Sequence, residues 1–208
     1  MQKLVSGIHQ FQAEYFTSHR GLFEKLAQGQ RPETLFITCS DSRVIPELIT
    51  SAAPGELFII RNIGNIVPRD GEHYPGGAVA ALEYAVEFLE VSTVIVCGHT
   101  GCGAMQAVLE PAAVARLPHV RHWLQQTDQI RDVIERRYSH LQGDARVTAA
   151  VEENVLFQLE SLRHYEFVTK RLADGRLRMA GWVFKIATGE VFGYDPVAES
   201  FTLLAGPA

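Results

Sequence analysis

The chain has 208 residues, 47% of them hydrophobic and 21% charged, and 24 acidic against 19 basic side chains give a net charge of −5. A chain of this size and composition can bury a sizeable core as one domain, which excludes a disordered or fibrous protein. Its negative charge and scattered arginines argue against a nucleic-acid binder.

The chain begins with a predicted amphipathic helix. Its apolar stripe has four members, spaced three or four residues apart: Leu4, Ile8, Phe11 and Tyr15. This spacing is typical of one face of a helix, and a second short helix is predicted over residues 21–28. We interpret the chain as one domain, 1–208, in which a helical arm (1–30) precedes an α/β core (31–208).

Three short β-rich runs follow, at residues 34–38, 56–60 and 93–97. Each run is almost continuously apolar, which is typical of strands covered on both faces in a parallel sheet. Residues 77–86, between the second and third runs, consist of good helix formers. The order strand, helix, strand predicts a βαβ unit.

The remainder of the chain adds helices and a final pair of strands. Helices are predicted over three ranges: 102–109, 117–138 and 144–164. Residues 177–186 and 191–194 are predicted to form two strands joined by a turn that contains glycine. The predicted fold class is therefore α/β, with a mostly parallel central sheet, helices on both faces, an N-terminal helical arm and a C-terminal strand pair.

Two polar clusters directly follow the first and third predicted strands. The first is Cys-Ser-Asp-Ser-Arg at residues 39–43, and the second is Gly-His-Thr-Gly-Cys-Gly at residues 98–103. In an open α/β sheet the ligand crevice lies beyond the carboxyl ends of the strands, so the two loops should face each other. This geometry brings together Cys39, His99 and Cys102.

Two thiolates and an imidazole suit Zn²⁺ in a tetrahedral site, and three protein ligands leave the fourth position for water, as in catalytic sites. Cys102 is expected to begin a helix, whose N-terminus would favour its thiolate. Cys97 lies inside the third predicted strand, where a free cysteine behaves as a small hydrophobe. We therefore predict one zinc ion per chain.

Asp41 and Arg43 complete the first cluster. Asp41 can either occupy the fourth metal position or lie just outside it and accept a hydrogen bond from metal-bound hydroxide. Arg43 can hold that carboxylate through a bidentate pair and keep it ionised. Since zinc lowers the pKa of a bound water molecule, these residues are suited to metal-hydroxide chemistry.

Together with Arg61-Asn62-x-Gly64-Asn65, these two clusters resemble the motif set of the β-class carbonic anhydrases, in the plant-like, open-site subgroup with bacterial and cyanobacterial members. The resemblance extends over nearly the whole chain, as far as Gly181-Trp182-Val183-Phe184. It implies that Cys39, His99 and Cys102 bind zinc and that Asp41 and Arg43 form a catalytic dyad. Asp41 would bind the metal only in a closed state.

The resemblance also implies a substrate pocket with five members: Gln30, Phe58, Ile63, Tyr84 and Gly103. Ile63 departs from the family pattern, which has a smaller valine there. The implied reaction is the reversible hydration of carbon dioxide to bicarbonate and a proton by zinc-bound hydroxide. The implied assembly is a homodimer or a group of dimers, with N-terminal helices that embrace the partner and active sites at the subunit interface.

Other readings of the same residues remain open. Relatives with this zinc site hydrolyse CS₂ or COS, and assays with both kinds of substrate would separate the two activities. The chain also resembles carboxysomal members of the family, so a non-catalytic zinc protein of that compartment is an alternative, although the intact Asp41 and Arg43 argue against it. A thiol redox protein is disfavoured because no C-x-x-C pair is present.

The location is predicted from the absence of targeting signals. Residues 1–7 lack an apolar signal segment, and the most apolar later stretch, 76–89, is interrupted by Glu83 and Glu87. We expect a cytoplasmic protein with no membrane partner, and the carboxysome is the alternative location. Three cysteines in such a chain favour metal or redox use over disulfides.

One further expectation concerns regulation. In a second β-class subgroup the aspartate closes the site, and a bicarbonate pocket there uses a tryptophan, an arginine and a tyrosine. The matching positions here are Phe36, Arg61 and Phe184, and phenylalanine donates no hydrogen bond to a buried anion. We therefore expect Asp41 to stay paired with Arg43 and off the metal near neutral pH.

Overall fold

A computed structural model of the chain describes residues 1–69 and 76–204. The chain divides into two compact units, Met1–Arg31 and Pro32–Ala208. No helix in the described ranges is long and apolar enough to cross a membrane.

The N-terminal unit is helical, as predicted. Helix α1 (Gln2–Gln10) continues into a π-helical segment, Phe11–Phe16, and α2 spans Arg20–Leu26. The ring of Phe23 packs edge-on against the ring of Phe11, with 5.8 Å between centroids. No residue in this unit is buried, and its apolar stripe stays in solvent: Leu4 is 70% exposed and Ile8 55%.

The core unit contains one six-stranded sheet in the order β2-β1-β3-β4-β5-β6. Its strands are β1 (Thr34–Cys39), β2 (Leu57–Asn62), β3 (Thr93–His99), β4 (Arg178–Phe184), β5 (Val191–Asp195) and β6 (Ser200–Leu203). The first four are parallel, whereas β5 and β6 are antiparallel to their neighbours. The predicted fold class is thus confirmed; β6 was not predicted.

Helices surround the sheet. They are α3 (Pro46–Thr50), α4 (Gly77–Glu83), α5 (Gly103–Leu109), α6 (Pro118–Leu124), α7 (Asp128–Arg137), α8 (Gly143–Leu162) and α9 (Glu166–Ala173). A π-helical segment, Tyr84–Phe88, extends α4, and 3-10 turns lie at Pro111–Val114 and Gln125–Thr127. The predicted region 117–138 is therefore two helices with a turn between them. Helices α3 and α9 were not predicted.

The centre of the sheet is fully covered, and its edge is not. The side chains of Leu35 and Ile37 on β1 and of Val94 on β3 are almost inaccessible to solvent. On β2 only Ile60 is buried, so the prediction that this run is covered on both faces is wrong for a single chain. The physical reason is that β2 lies at the edge of the sheet, with β1 as its one neighbouring strand.

Helix α8 packs directly on β3 and β4, and two glycines permit this approach. A Cβ atom at Gly98 would lie 2.7 Å from the Val151 side chain, and one at Gly181 would lie 2.8 Å from that of Val155. Larger residues at either glycine would push the helix away from the sheet. This close contact fixes α8 against the strand that ends at His99.

Candidate metal centre

The three predicted metal ligands come together at the carboxyl edge of the sheet. Cys39 is the last residue of β1, His99 is the last residue of β3, and Cys102 caps the N-terminus of α5. Their ligand atoms all lie within 4.8 Å of one another, and all three side chains are buried. Within residues 1–69 and 76–204 no other group of three His, Cys, Asp or Glu side chains could hold a metal ion in this way.

His99 presents one nitrogen to this group. Its Nδ1 lies 3.0 Å from the Thr100 carbonyl oxygen, so an Nδ1–H donor leaves the lone pair on Nε2. That Nε2 atom is buried and has no hydrogen-bond partner among the described residues. A buried polar atom without a partner costs about 1–3 kcal/mol, and coordination to a metal ion removes that cost.

Thr100 is itself held by two hydrogen bonds, one to its backbone and one to its side chain. Its N–H donates to the carbonyl oxygen of Phe184 at 3.0 Å. The N–H of Ile186 donates to its hydroxyl oxygen at 3.1 Å. The carbonyl that orients His99 is therefore tied to the end of β4.

The two cysteines share a proton in the absence of a metal. The thiol of Cys102 donates to Cys39 and thereby lowers the pKa of Cys39 to about 4, with a smaller contribution from the backbone of Gly64. The same bond to Cys39, together with burial, raises the pKa of Cys102. In the metal-free pair, Cys39 and burial therefore oppose the helix N-terminus in setting the pKa of Cys102.

The N–H groups at the start of α5 do lower the pKa of Cys102, but the neighbouring thiolate outweighs them. A cation bound between the two sulfur atoms would replace the shared proton, since thiols bind metal in their deprotonated form. The donor set and its charge therefore fit a divalent metal ion that accepts sulfur and nitrogen ligands.

Asp41 and Arg43 form the predicted bidentate pair. Arg43 Nε donates to Asp41 Oδ1 at 2.9 Å, and Arg43 Nη2 donates to Asp41 Oδ2 at 2.7 Å. The backbone N–H of Arg43 adds a third bond at 2.9 Å. These bonds hold the pKa of Asp41 well below its ordinary value. The carboxylate also lies near the metal group, since Oδ2 is 3.8 Å from His99 Nε2.

Arg61 holds the backbone of the first cluster, a role that the sequence did not reveal. Its Nε donates to the carbonyl oxygen of Cys39 at 3.1 Å, and its Nη2 donates to that of Asp41 at 2.7 Å. The signal that could have indicated it is the pairing of β1 with β2, which sets Cys39 opposite Asn62, the residue after Arg61.

Four of the five predicted pocket residues lie in the core unit. The rings of Phe58 and Tyr84 pack together with 5.9 Å between centroids. Ile63 follows Asn62 at the end of β2, and Gly103 is the first residue of α5. Gln30 belongs to the N-terminal unit, and its part in the pocket stays a prediction.

The remaining cysteine and the two phenylalanines occupy apolar surroundings. Cys97 is fully inaccessible to solvent, and burial raises the pKa of its thiol to about 12. It packs in a second apolar cluster with Phe36 and Phe184. The ring of Phe36 lies 6.0 Å from that of Trp182. The prediction that Cys97 acts as a small hydrophobe is therefore confirmed.

Comparison with known proteins supplies the family. The carbonic anhydrase family model matches residues 34–191. The chain belongs to the β-carbonic anhydrase family. It is 47% identical to a carbonic anhydrase of Synechocystis over 202 residues, which cover 97% of this chain and 73% of the relative. A carbonic anhydrase of Pseudomonas aeruginosa is 43% identical over 205 residues, or 99% of this chain and 92% of that one.

Solved structures agree with this membership. The β-carbonic anhydrase CcaA superposes with a TM-score of 0.95 at 46% identity, over 98% of this chain and 99% of that chain. A tetrameric β-carbonic anhydrase of the fungus Sordaria macrospora superposes with a TM-score of 0.84 at 27% identity, over 92% and 95% of the two chains. The chain is thus an enzyme of the carbonic anhydrase class, with carbon dioxide hydration as the reaction at family level.

Proposed function

We propose that this chain catalyses the zinc-dependent, reversible hydration of carbon dioxide, with Cys39, His99 and Cys102 holding one zinc ion. The observation that carries the proposal is the buried Cys-His-Cys group, in which His99 Nε2 has no other partner in the described parts of the chain. Sulfur and imidazole ligands are those that zinc prefers, and a three-ligand site leaves room for water.

Bound zinc would lower the pKa of a water molecule from 15.7 to about 7, a magnitude established for the carbonic anhydrases that bind zinc through three histidines. The protein's own residues set how that water is used. While it is ionised, Asp41 has no donor and can only accept a hydrogen bond from the reacting water, and the three bonds from Arg43 keep it ionised. Asp41 thereby orients the attacking oxygen.

Carbon dioxide has no net dipole, so an apolar wall beside the metal centre suits it. We assign this wall to Phe58, Ile63 and Tyr84, with Gln30 and Gly103 as the polar and backbone groups at its margin. The packed rings of Phe58 and Tyr84 support the assignment. So does the position of Ile63, which directly follows the residue paired with Cys39.

A homodimer or an assembly of dimers is the proposed working form. Two features of the chain support it: the exposed apolar stripe of α1, and the half-exposed edge strand β2. Exposed apolar surface of this kind usually marks an interaction site. The tetrameric Sordaria structure provides a precedent among relatives. We infer a cytoplasmic location, with the carboxysome as the alternative.

Metal removal and restoration test the proposed reaction. The protein is stripped of metal with a chelator, divided, and given back either Zn²⁺ or Mg²⁺ before stopped-flow assays with carbon dioxide, COS and CS₂. We expect zinc alone to restore carbon dioxide hydration. Full hydration activity in the stripped protein would contradict the proposal, and turnover confined to COS or CS₂ would assign the site to the sulfur analogues.

A further inference from the structure

The loop after β2, residues 62–68, lies against the proposed metal centre. The N–H of Ser40, the residue after Cys39, donates to the carbonyl oxygen of Asn62 at 2.9 Å, and the backbone of Gly64 lies close enough to lower the pKa of the Cys39 thiol. A Cβ atom at Gly64 would lie 3.1 Å from the Cβ of Ala104, in the first turn of α5. The loop is thus packed closely between Cys39 and helix α5, which begins directly after Cys102.

The conformation of this loop needs support. Gly64 has a φ of +81° and Asn65 a φ of +48°, and a non-glycine residue at positive φ is uncommon. Asn62 braces the loop locally, because its side chain accepts a bond from Ile66 N–H at 2.7 Å and donates one to the Ile66 carbonyl at 2.8 Å. These local bonds close the loop but do not fix it against the sheet.

Two amide side chains on α8 supply part of that attachment, beside Trp123 of α6, whose Nε1 donates to the Ile63 carbonyl oxygen at 2.7 Å. Asn154 Nδ2 donates to the Gly64 carbonyl oxygen at 3.0 Å. Gln158 Oε1 accepts from Val67 N–H at 2.8 Å, and Gln158 Nε2 donates to Asn154 Oδ1 at 2.8 Å. Both side chains are buried, at 1% and 0% exposure. Buried amides of this kind are expensive unless every bond is made, so the pair holds the loop in one position.

Neither residue contacts the metal ligands, and no other part of the proposed mechanism uses them. Gly64 is the link, since its carbonyl oxygen accepts from Asn154 and it lies two residues after Asn62, which is paired with Cys39 across β1 and β2. Helix α8 is in turn fixed on β3, the strand that ends at His99, through the close contact at Gly98. Helix α8 therefore contributes to the position of both sides of the metal group.

We propose that Asn154 and Gln158 are positioning residues of the metal centre, which hold the loop at Gly64 against Cys39. The proposal rests on the proposed zinc site but not on the identity of the substrate. Partners outside the ligand shell typically change metal affinity about 10–100-fold when they are mutated.

The test measures zinc affinity by competition with a chelator for the wild type, Asn154→Ala and Gln158→Met. We expect Asn154→Ala to weaken zinc binding about 10–100-fold and Gln158→Met to weaken it less, because Gln158 acts on Gly64 through Asn154 and through Val67. In cobalt-loaded protein, movement of the Gly64 N–H away from the Cys39 sulfur should shift the thiolate-to-cobalt charge-transfer band of Asn154→Ala to lower energy.

Leu177→Ala serves as the destabilised control. Leu177 is buried and precedes β4, at the end of the sheet opposite the metal group, so its truncation should lower the melting temperature without changing the cobalt band. Zinc loss in this control equal to that in Asn154→Ala would overturn a positioning role. If Asn154→Ala does not fold, Gln158→Met alone decides, and an unchanged affinity and band in that variant overturn the proposal.

Failure of the positioning role can be distinguished from failure of the zinc site itself. Wild-type protein that binds no zinc would refute the metal centre itself, and the positioning role with it. Wild-type zinc binding together with unchanged affinity and band in both amide variants would refute the positioning role alone.

Discussion

The carboxyl edge of the sheet and the N-terminal unit differ in how completely their side chains find partners within one chain. At the sheet edge, polar groups find partners within the chain: Asp41 receives three bonds from Arg43, and Arg61 holds two carbonyl groups. In the N-terminal unit, large apolar side chains remain in solvent and none is buried. The polar groups of the site are therefore paired within one chain, whereas the large apolar side chains of the N-terminal unit are exposed.

The largest expected effect tests the sheet edge. Cys39→Ser should lose most of its zinc and its hydration activity, because an alcohol is not deprotonated as a thiol is and a soft ligand is lost. Metal analysis of purified protein measures this. Cys97→Ala is the matched control and should keep its zinc, since Cys97 lies inside the sheet. Full zinc retention in Cys39→Ser would show that the ligands lie elsewhere.

The second effect concerns the dyad. Asp41→Asn should keep the fold and the metal but lose about 2.7–4 kcal/mol at the transition state, or roughly 100–1000-fold in kcat, because an amide does not enforce the water's orientation. Asp174→Asn is the control, since Asp174 also pairs with an arginine two residues later but lies on the exposed surface. Stopped-flow rates for Asp41→Asn within threefold of wild type would refute the role of the carboxylate.

The third effect tests the arm. Ile8→Glu should shift the protein from dimers or larger assemblies towards monomers, because it places a charge in the apolar stripe of α1. Light scattering across a concentration series measures the change. Ser6→Glu adds the same charge to α1 on the side of the helix opposite Ile8 and should leave the assembly intact. A wild-type protein that is monomeric and active at assay concentration would contradict the expected dimer.

The smallest effect is in the pH profile. Because Arg43 lowers the pKa of Asp41, the ionised pair persists from above the ordinary aspartate range through neutrality, and its contribution is lost only as the pH falls through the lowered value. Activity between about pH 8.5 and pH 7 should then follow one titrating proton. A steeper, cooperative loss would indicate that Asp41 closes the site through a pocket other than that of Phe36, Arg61 and Phe184.

Much of the core could be predicted because its signals are local. The strands β1 and β3 are short apolar runs, and the residues that follow them gather at one edge through parallel pairing. Strand β6 was missed because its four residues carry little pattern, and its pairing with β5 is set by tertiary structure. The half-exposed state of β2 could not be predicted, since an apolar run does not distinguish an interior strand from one at the edge of a sheet.

The details of the site depend on contacts between distant residues. Cys39 lies close enough to Cys102 to raise its pKa, and a prediction from the helix N-terminus alone does not include this neighbour. The amide pair of α8 left a readable signal: Asn154 and Gln158 are four residues apart on the buried face of an apolar helix. Polar residues at that spacing indicate a buried hydrogen-bonding role, but their partner, the loop at Gly64, lies 90 residues away.

Zinc K-edge X-ray absorption on the purified protein tests the metal centre most directly. The account predicts one zinc per chain with two sulfur neighbours at about 2.3 Å, from Cys39 and Cys102, and nitrogen or oxygen neighbours at about 2.0–2.1 Å, from His99 and water. A shell without sulfur, or one with three sulfur atoms that recruits Cys97, would contradict the assignment of Cys39, His99 and Cys102 as the catalytic metal site.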